Sequence, residues 1–229
     1  MLSDFGPRPR DELAALSTAR LAPDSRPAAP GYPEPSPPGQ TWHVGGQAVY
    51  VRRTRGPDGA PDTWYLHGLD GSSRNWDRLA ASLADLSSGY APDLPGAGLS
   101  GPPAHRDGYS LVREAALVAR LIETAGHGPV HLAGNSRGGV VATFLAARHP
   151  ELVRTLTLVS PAVPDLRLIG ERGADARLAL VMVPGATRLA VSRLSTIPPM
   201  SRARGIAASC FGEPEALTAA DLDAAAPGR

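Results

Sequence analysis

The chain contains no lysine: all 23 of its basic residues are arginine. Alanine, glycine (25) and proline (24) are abundant. Together these read as the style of a G+C-rich genome rather than as a mark of function. There is a single cysteine, Cys210, which excludes an intrachain disulfide and any cysteine-built metal site. No apolar run approaches the roughly 18 residues that a membrane-spanning helix needs. The opening residues, from Met1 to Pro7, lack the apolar core of a signal peptide. A cytoplasmic setting is expected. Charge of one sign is also lacking, because 23 basic residues meet 22 acidic ones and leave a net +1. That balance offers nothing to nucleic acid or to an anionic membrane surface. What remains is ordinary for a globular chain: 229 residues, 42% apolar and 20% charged. This is enough for one α/β domain with a core of its own, or for one domain plus an appendage.

Residues 11–21 have the spacing of a short helix. Seven prolines then crowd residues 23–38, so that segment is expected to run extended as a tether. The compact domain is expected to begin at Gly39. Residues 42–44 and 47–53, joined by Gly45-Gly46, read as a hairpin. Residues 63–66 form a short apolar strand, followed by a helix over 75–86 with Trp76, Leu79, Leu83 and Leu86 at helical spacing. A strand at 89–91, a helix over 109–125, a strand at 130–133, a helix over 140–149 and a strand at 155–159 follow in turn. Such alternation with short connections predicts a doubly wound, mostly parallel sheet. Three glycine-rich segments, at 67–73, 93–101 and 134–139, each follow a strand, so they should converge on one edge of the sheet. From residue 163 on, the pattern is helical only and predicts a helical appendage over the strand ends.

The segment Gly134-Asn135-Ser136-Arg137-Gly138-Gly139 lies between a strand and a helix. A serine at the apex of such a turn is a nucleophile elbow. The flanking glycines let strand and helix approach closely, and the helix N-terminus offers free N–H groups to developing negative charge.

Three motifs in order carry a family resemblance: His67-Gly68, the run from Asp93 to Ser100 (Asp-Leu-Pro-Gly-Ala-Gly-Leu-Ser), and Gly134 to Gly139. From about Trp42 to its end the chain resembles the α/β-hydrolase fold family, in its serine-nucleophile, cap-containing form. The resemblance implies residues 1–38 as a proline-rich extension, 39–162 as the hydrolase core with strands one to six, and 163–229 as the helical cap. It implies Ser136 as nucleophile and the backbone N–H groups of Leu69 and Arg137 as the oxyanion hole. His67, Gly68, Gly134 and Gly138 would support those loops. The Arg137 side chain reads either as a cation near the substrate or as a salt-bridge partner at the helix start. No cofactor or metal is implied, and the expected partner is a small-molecule substrate.

The family's acid and base are harder to place. Its triad runs in the order Ser, Asp or Glu, His. The only histidine after Ser136 is His149, about 20 Å along the following helix at ~1.5 Å per residue. It reads as a cation at a helix C-terminus. His67 belongs to the oxyanion turn, His131 should be packed inside a strand, His43 and His127 lie on a hairpin and a loop, and His105 sits in a loop at the right edge of the sheet. Asp165, just after strand six, is a candidate acid, whereas Asp175, Asp221 and Asp223 read as solvated cap positions. The expectation is therefore a fold lacking its C-terminal strands, a free edge at 155–159 open to self-association, and little activity in this chain. The leading function is hydrolysis of a small ester, thioester or amide through an acyl-enzyme on Ser136. The alternatives are carbon–carbon bond hydrolysis of ring-cleavage products and a non-catalytic binding protein on the same fold.

Overall fold

The computed structural model describes residues 36–126 and 128–162, with isolated positions at 196–198, 200–201, 204–205, 219 and 222. The chain divides into two compact units, 1–30 and 31–229, and all the described residues belong to the second. The expected helix at 11–21, nearly all of the proline-rich extension and most of the cap lie outside the described residues. So do His127, Asp165, Asp175, Cys210, Asp221 and Asp223.

Six strands form one sheet: β1 (Gly39–Val44), β2 (Gln47–Thr54), β3 (Asp62–Leu66), β4 (Ser88–Pro92), β5 (Val130–Asn135) and β6 (Val153–Val159). Their order across the sheet is β1-β2-β4-β3-β5-β6. β1 and β2 form the expected hairpin, in which Gly45 and Gly46 both take positive φ (58° and 79°), as a two-residue primed turn requires. β4, β3, β5 and β6 run parallel. Between them lie three α-helices: α1 (Asp77–Ser82), α2 (Leu111–Ala125) and α3 (Arg137–Arg148). The chain steps from β3 outward to β4, then returns past β3 to β5. Such a reversal opens a crevice at the carboxyl ends of the strands.

Alternation along the strands sends side chains to two separate cores. On one face Trp64, Leu66 and Leu132 meet Val118, Leu121 and Ile122 of α2 and Val141 and Leu145 of α3. Trp64 stacks on Tyr90 at 5.0 Å between centroids, and Trp42 meets both edge-on at 6.2 Å. Each such fully buried side chain contributes about 1.5–3 kcal/mol. On the other face Tyr65 and Ala133 meet Trp76 and Ala80. α2 is closed at both ends: the Ser110 hydroxyl accepts from the Arg113 N–H, and Gly126 (φ 75°) caps its C-terminus in the left-handed region.

Two elements differ from expectation. The helix expected over 75–86 is a 3-10 turn, Ser73–Trp76, followed by the six-residue α1. Its buried stripe is Ser73, Trp76, Asp77 and Ala80, while Leu79 and Leu86 are exposed. With those leucines left exposed, the helix relaxes after Ser82 into turns such as Leu86 N–H to Leu83 O. The elbow helix begins at Arg137 rather than at residue 140, since the two glycines after Arg137 are drawn into the helix by their close packing. β6 lies at one end of the strand order, and Leu156, Leu158 and Val159 on it are exposed.

Candidate active site

Parallel register sets the site. Leu66, the last residue of β3, pairs with Gly134 of β5, and Gly134 pairs with Leu158 of β6. β5 and β6 thus end together, one residue beyond β3, and the loops that follow meet. Ser136 follows β5 with φ 49° and ψ −118°, a conformation that L-residues rarely adopt. Such backbone costs on the order of 1–3 kcal/mol and persists only when its surroundings over-determine it. Here they do. The Ser136 N–H donates to Val159 O at 3.0 Å, and the Ser136 carbonyl accepts from the N–H groups of Gly139, Val140 and Ala162. Asn135 adds a side-chain bond, Nδ2 to Val159 O, at 3.1 Å.

The glycines around Ser136 are demanded by contact. A Cβ on Gly134 would lie 2.5 Å from Gly138 O, and one on Gly138 would collide with the carbonyls of Leu66 and His67. A Cβ on Gly68 would come within 3.2 Å of Ser136 Cβ. The turn after β3 therefore rests directly against the serine. The Leu69 side chain on that turn is 77% exposed. The Ser136 hydroxyl has no hydrogen-bond partner among the described residues.

His67 is buried and ties two loops together. Its Nε2 accepts from the Leu94 N–H at 2.9 Å, which leaves the proton on Nδ1, 2.8 Å from Gly68 O. Burial holds its pKa below the usual 6.5, against the Gly68 hydrogen bond and the Asp93 carboxylate, which raise it; the Arg137 charge lowers it further. A neutral imidazole engaged at both nitrogens is a strut, not a base.

The sequence places Asp93 at the head of a motif but assigns a role to neither Asp93 nor Glu114. The buried Asp93 carboxylate accepts from the N–H groups of Ser73 at 2.6 Å and Leu99 at 2.8 Å. Its carbonyl accepts from the Ser100 hydroxyl. An aspartate opening a glycine-rich turn is the available signal, since such side chains bond backbone N–H groups nearby. Glu114 is fully buried on α2, and one of its oxygens accepts from Arg137 Nη2. The signal there is a carboxylate on the apolar stripe of a helix, which demands a cation. The Arg137 side chain is accordingly a salt-bridge partner; Nη2 also donates to Tyr109 O at 3.3 Å.

No histidine among the described residues hydrogen-bonds Ser136. His105 is exposed and caps the 3-10 turn Arg106–Tyr109. His131, expected to be packed, is half-buried instead, because its β6 neighbour Thr155 offers a hydroxyl 2.7 Å from Nδ1. His149 is the C-cap of α3, 3.4 Å from Glu151. His43 is exposed on β1. Among the described residues no cluster of His, Cys, Asp and Glu could hold a metal, and no helix is long and apolar enough to cross a membrane.

Comparison with known proteins agrees with this geometry. A family model described as alpha/beta hydrolase fold matches residues 65–186. The chain is 38% identical over 113 residues to the dihydrolipoyllysine-residue acetyltransferase component of an acetoin cleaving system from Cupriavidus necator, covering 49% of this chain and 30% of that protein. It is 38% identical over 115 residues to lipase LipV of Mycobacterium tuberculosis, covering 50% of this chain and 42% of the lipase. The chain thus spans well under half the length of either relative. Among solved structures, Cfl2 from Burkholderia cenocepacia superposes with a TM-score of 0.70 at 25% identity, over 82% of this chain and 64% of that one. Sheet order, strand-end loops and these matches agree: the chain belongs to the alpha/beta hydrolase fold family.

Proposed function

We propose that this is the nucleophile-bearing core of a serine hydrolase acting on a small ester, thioester or amide through an acyl-enzyme on Ser136. One observation carries the reading: a serine held at φ 49° on a strand–helix junction, its hydroxyl without a partner among the described residues, with the Gly68 turn against its Cβ. The lipase LipV likeness supports acyl chemistry.

In this reading Ser136 Oγ attacks the substrate carbonyl. The resulting oxyanion accepts from the backbone N–H groups of Leu69 and Arg137. Arg137 is the first residue of α3, so its N–H has no intrahelical acceptor. Each such donor stabilises the transition state by about 3–4 kcal/mol. Collapse expels the leaving group, and water releases the acyl group from Ser136. The proton of Ser136 needs a base. With no described histidine bonded to the hydroxyl, turnover by this chain is slow. Among the described residues no strand pairs with the outer edge of β6, which would also favour pairing between copies.

Acylation by p-nitrophenyl butyrate, compared with Ser136→Ala across pH, tests the reading. Without an imidazole base, the Ser136-dependent rate should climb steadily from about pH 6 to pH 9 as alkoxide forms. A plateau above about pH 7 would reveal an engaged histidine and overturn that part of the proposal. No Ser136-dependent acylation at any pH would overturn the nucleophile and favour a binding protein. Turnover of vinylogous diketone acids in place of esters would move the reading to carbon–carbon bond hydrolysis.

A further inference from the structure

Arg137 occupies the first position of α3, next to the proposed nucleophile. A cation there opposes the helix dipole. Glu114 sits fully buried on α2, and its second oxygen has no hydrogen-bond partner among the described residues. A buried carboxylate without a cation is strongly disfavoured. Each residue is unfavourable alone, and each accounts for the other across 23 residues of sequence. Burial raises the Glu114 pKa, and the hydrogen bond and charge of Arg137 lower it.

The pair also reaches further than two side chains. Arg137 Nη2 donates to Tyr109 O as well. Tyr109 lies over Gly96 in the loop after β4, where a Cβ would come within 2.8 Å of the Tyr109 hydroxyl. One guanidinium therefore connects the elbow, the start of α2 and the 93–101 loop.

We infer that Arg137 and Glu114 are a positioning pair: the guanidinium, anchored on Glu114 and Tyr109 O, fixes the orientation of the Arg137 peptide whose N–H faces the oxyanion. The inference rests on the serine-hydrolase reading. The peptide joining Ser136 to Arg137 follows a strained residue, and strained backbone persists only when its surroundings over-determine it. The Ser136 N–H is held by β6, and its carbonyl by N–H groups of α3 and of Ala162. The Arg137 side chain adds a polar tie from the far end of that peptide to α2, beside the apolar packing of the two helices.

The main-chain donor at 137 survives any substitution there except proline, so side-chain variants isolate positioning. Phosphonylation of Ser136 by an alkyl fluorophosphonate, followed by intact mass, separates the maximal rate kinact from the binding constant KI. Thermal unfolding is followed beside it in Arg137→Met, Glu114→Gln and the double variant. Arg137→Met should lower kinact about 10- to 100-fold, as misplacement by up to about 1 Å does, with KI little changed. Its unfolding midpoint should fall, because Glu114 is left unpaired. The double variant removes that buried charge, so its midpoint should recover while kinact stays low. Joint recovery of midpoint and kinact would mean a merely structural pair and overturn the inference. Arg137→Met reacting at the wild-type rate would overturn it too, with the hydrolase reading intact. A wild-type chain that takes no label at Ser136 would overturn both.

Discussion

At the scale of the residue, the site is a contest between strain and constraint. Ser136 stays at positive φ because its N–H and carbonyl make four backbone bonds. Gly138 lets α3 descend onto the carbonyls of Leu66 and His67. Gly138→Ala must push backbone against backbone, so we expect a loss of about 1–3 kcal/mol or more, readable by urea denaturation. A variant as stable as wild type would contradict that contact. His67 makes a pH-dependent contribution. Its folded pKa lies below the usual 6.5, so the folded state prefers the neutral ring. The stabilisation is complete above about pH 6.5 and is lost as pH falls from there through the lowered folded value. His67→Gln should flatten that part of the stability–pH curve, and an unchanged acid limb would count against the strut. Ser136 was legible in the sequence because its neighbours announce it. The Glu114–Arg137 pair was only half legible: each residue is odd where it stands, but nothing local says that they meet.

At the scale of the element, the sequence was legible where a strand run or both helix ends stood out, in buried β3 to β5 and in exposed β6 alike. β3, β4 and β5 are short, and their all-buried or mostly buried residues include the runs that predict them. α2 was readable from both ends, with a serine cap and a glycine stop. α1 was not, because Leu79 and Leu86 mimic an inward stripe that the sheet does not receive. β6 was read correctly as a strand, and the apolar side chains it exposes carry a prediction. Sedimentation of the chain should show association that deepens with concentration. Leu158→Lys should shift it towards monomer by placing charge on the exposed strand. A wild-type chain that stays monomeric at every concentration would contradict an adhesive β6.

At the scale of the whole molecule, the chain brings three strand-end loops to one edge and braces them with buried polar groups. His67 links the turn after β3 to the loop after β4, Asp93 closes that loop, and Glu114 holds Arg137 at the elbow. Order and spacing of the motifs made this convergence readable; the bracing was not, because its partners lie 20 to 27 residues apart in sequence. The candidate acid Asp165 and most of the expected cap lie outside the described residues. The central claim, that Ser136 is the nucleophile, is tested most directly by intact-mass and peptide mapping after treatment with an alkyl fluorophosphonate at alkaline pH. The account predicts one adduct per chain, located on Ser136 and absent from Ser136→Ala. An unmodified chain, or an adduct that persists in Ser136→Ala, would contradict it.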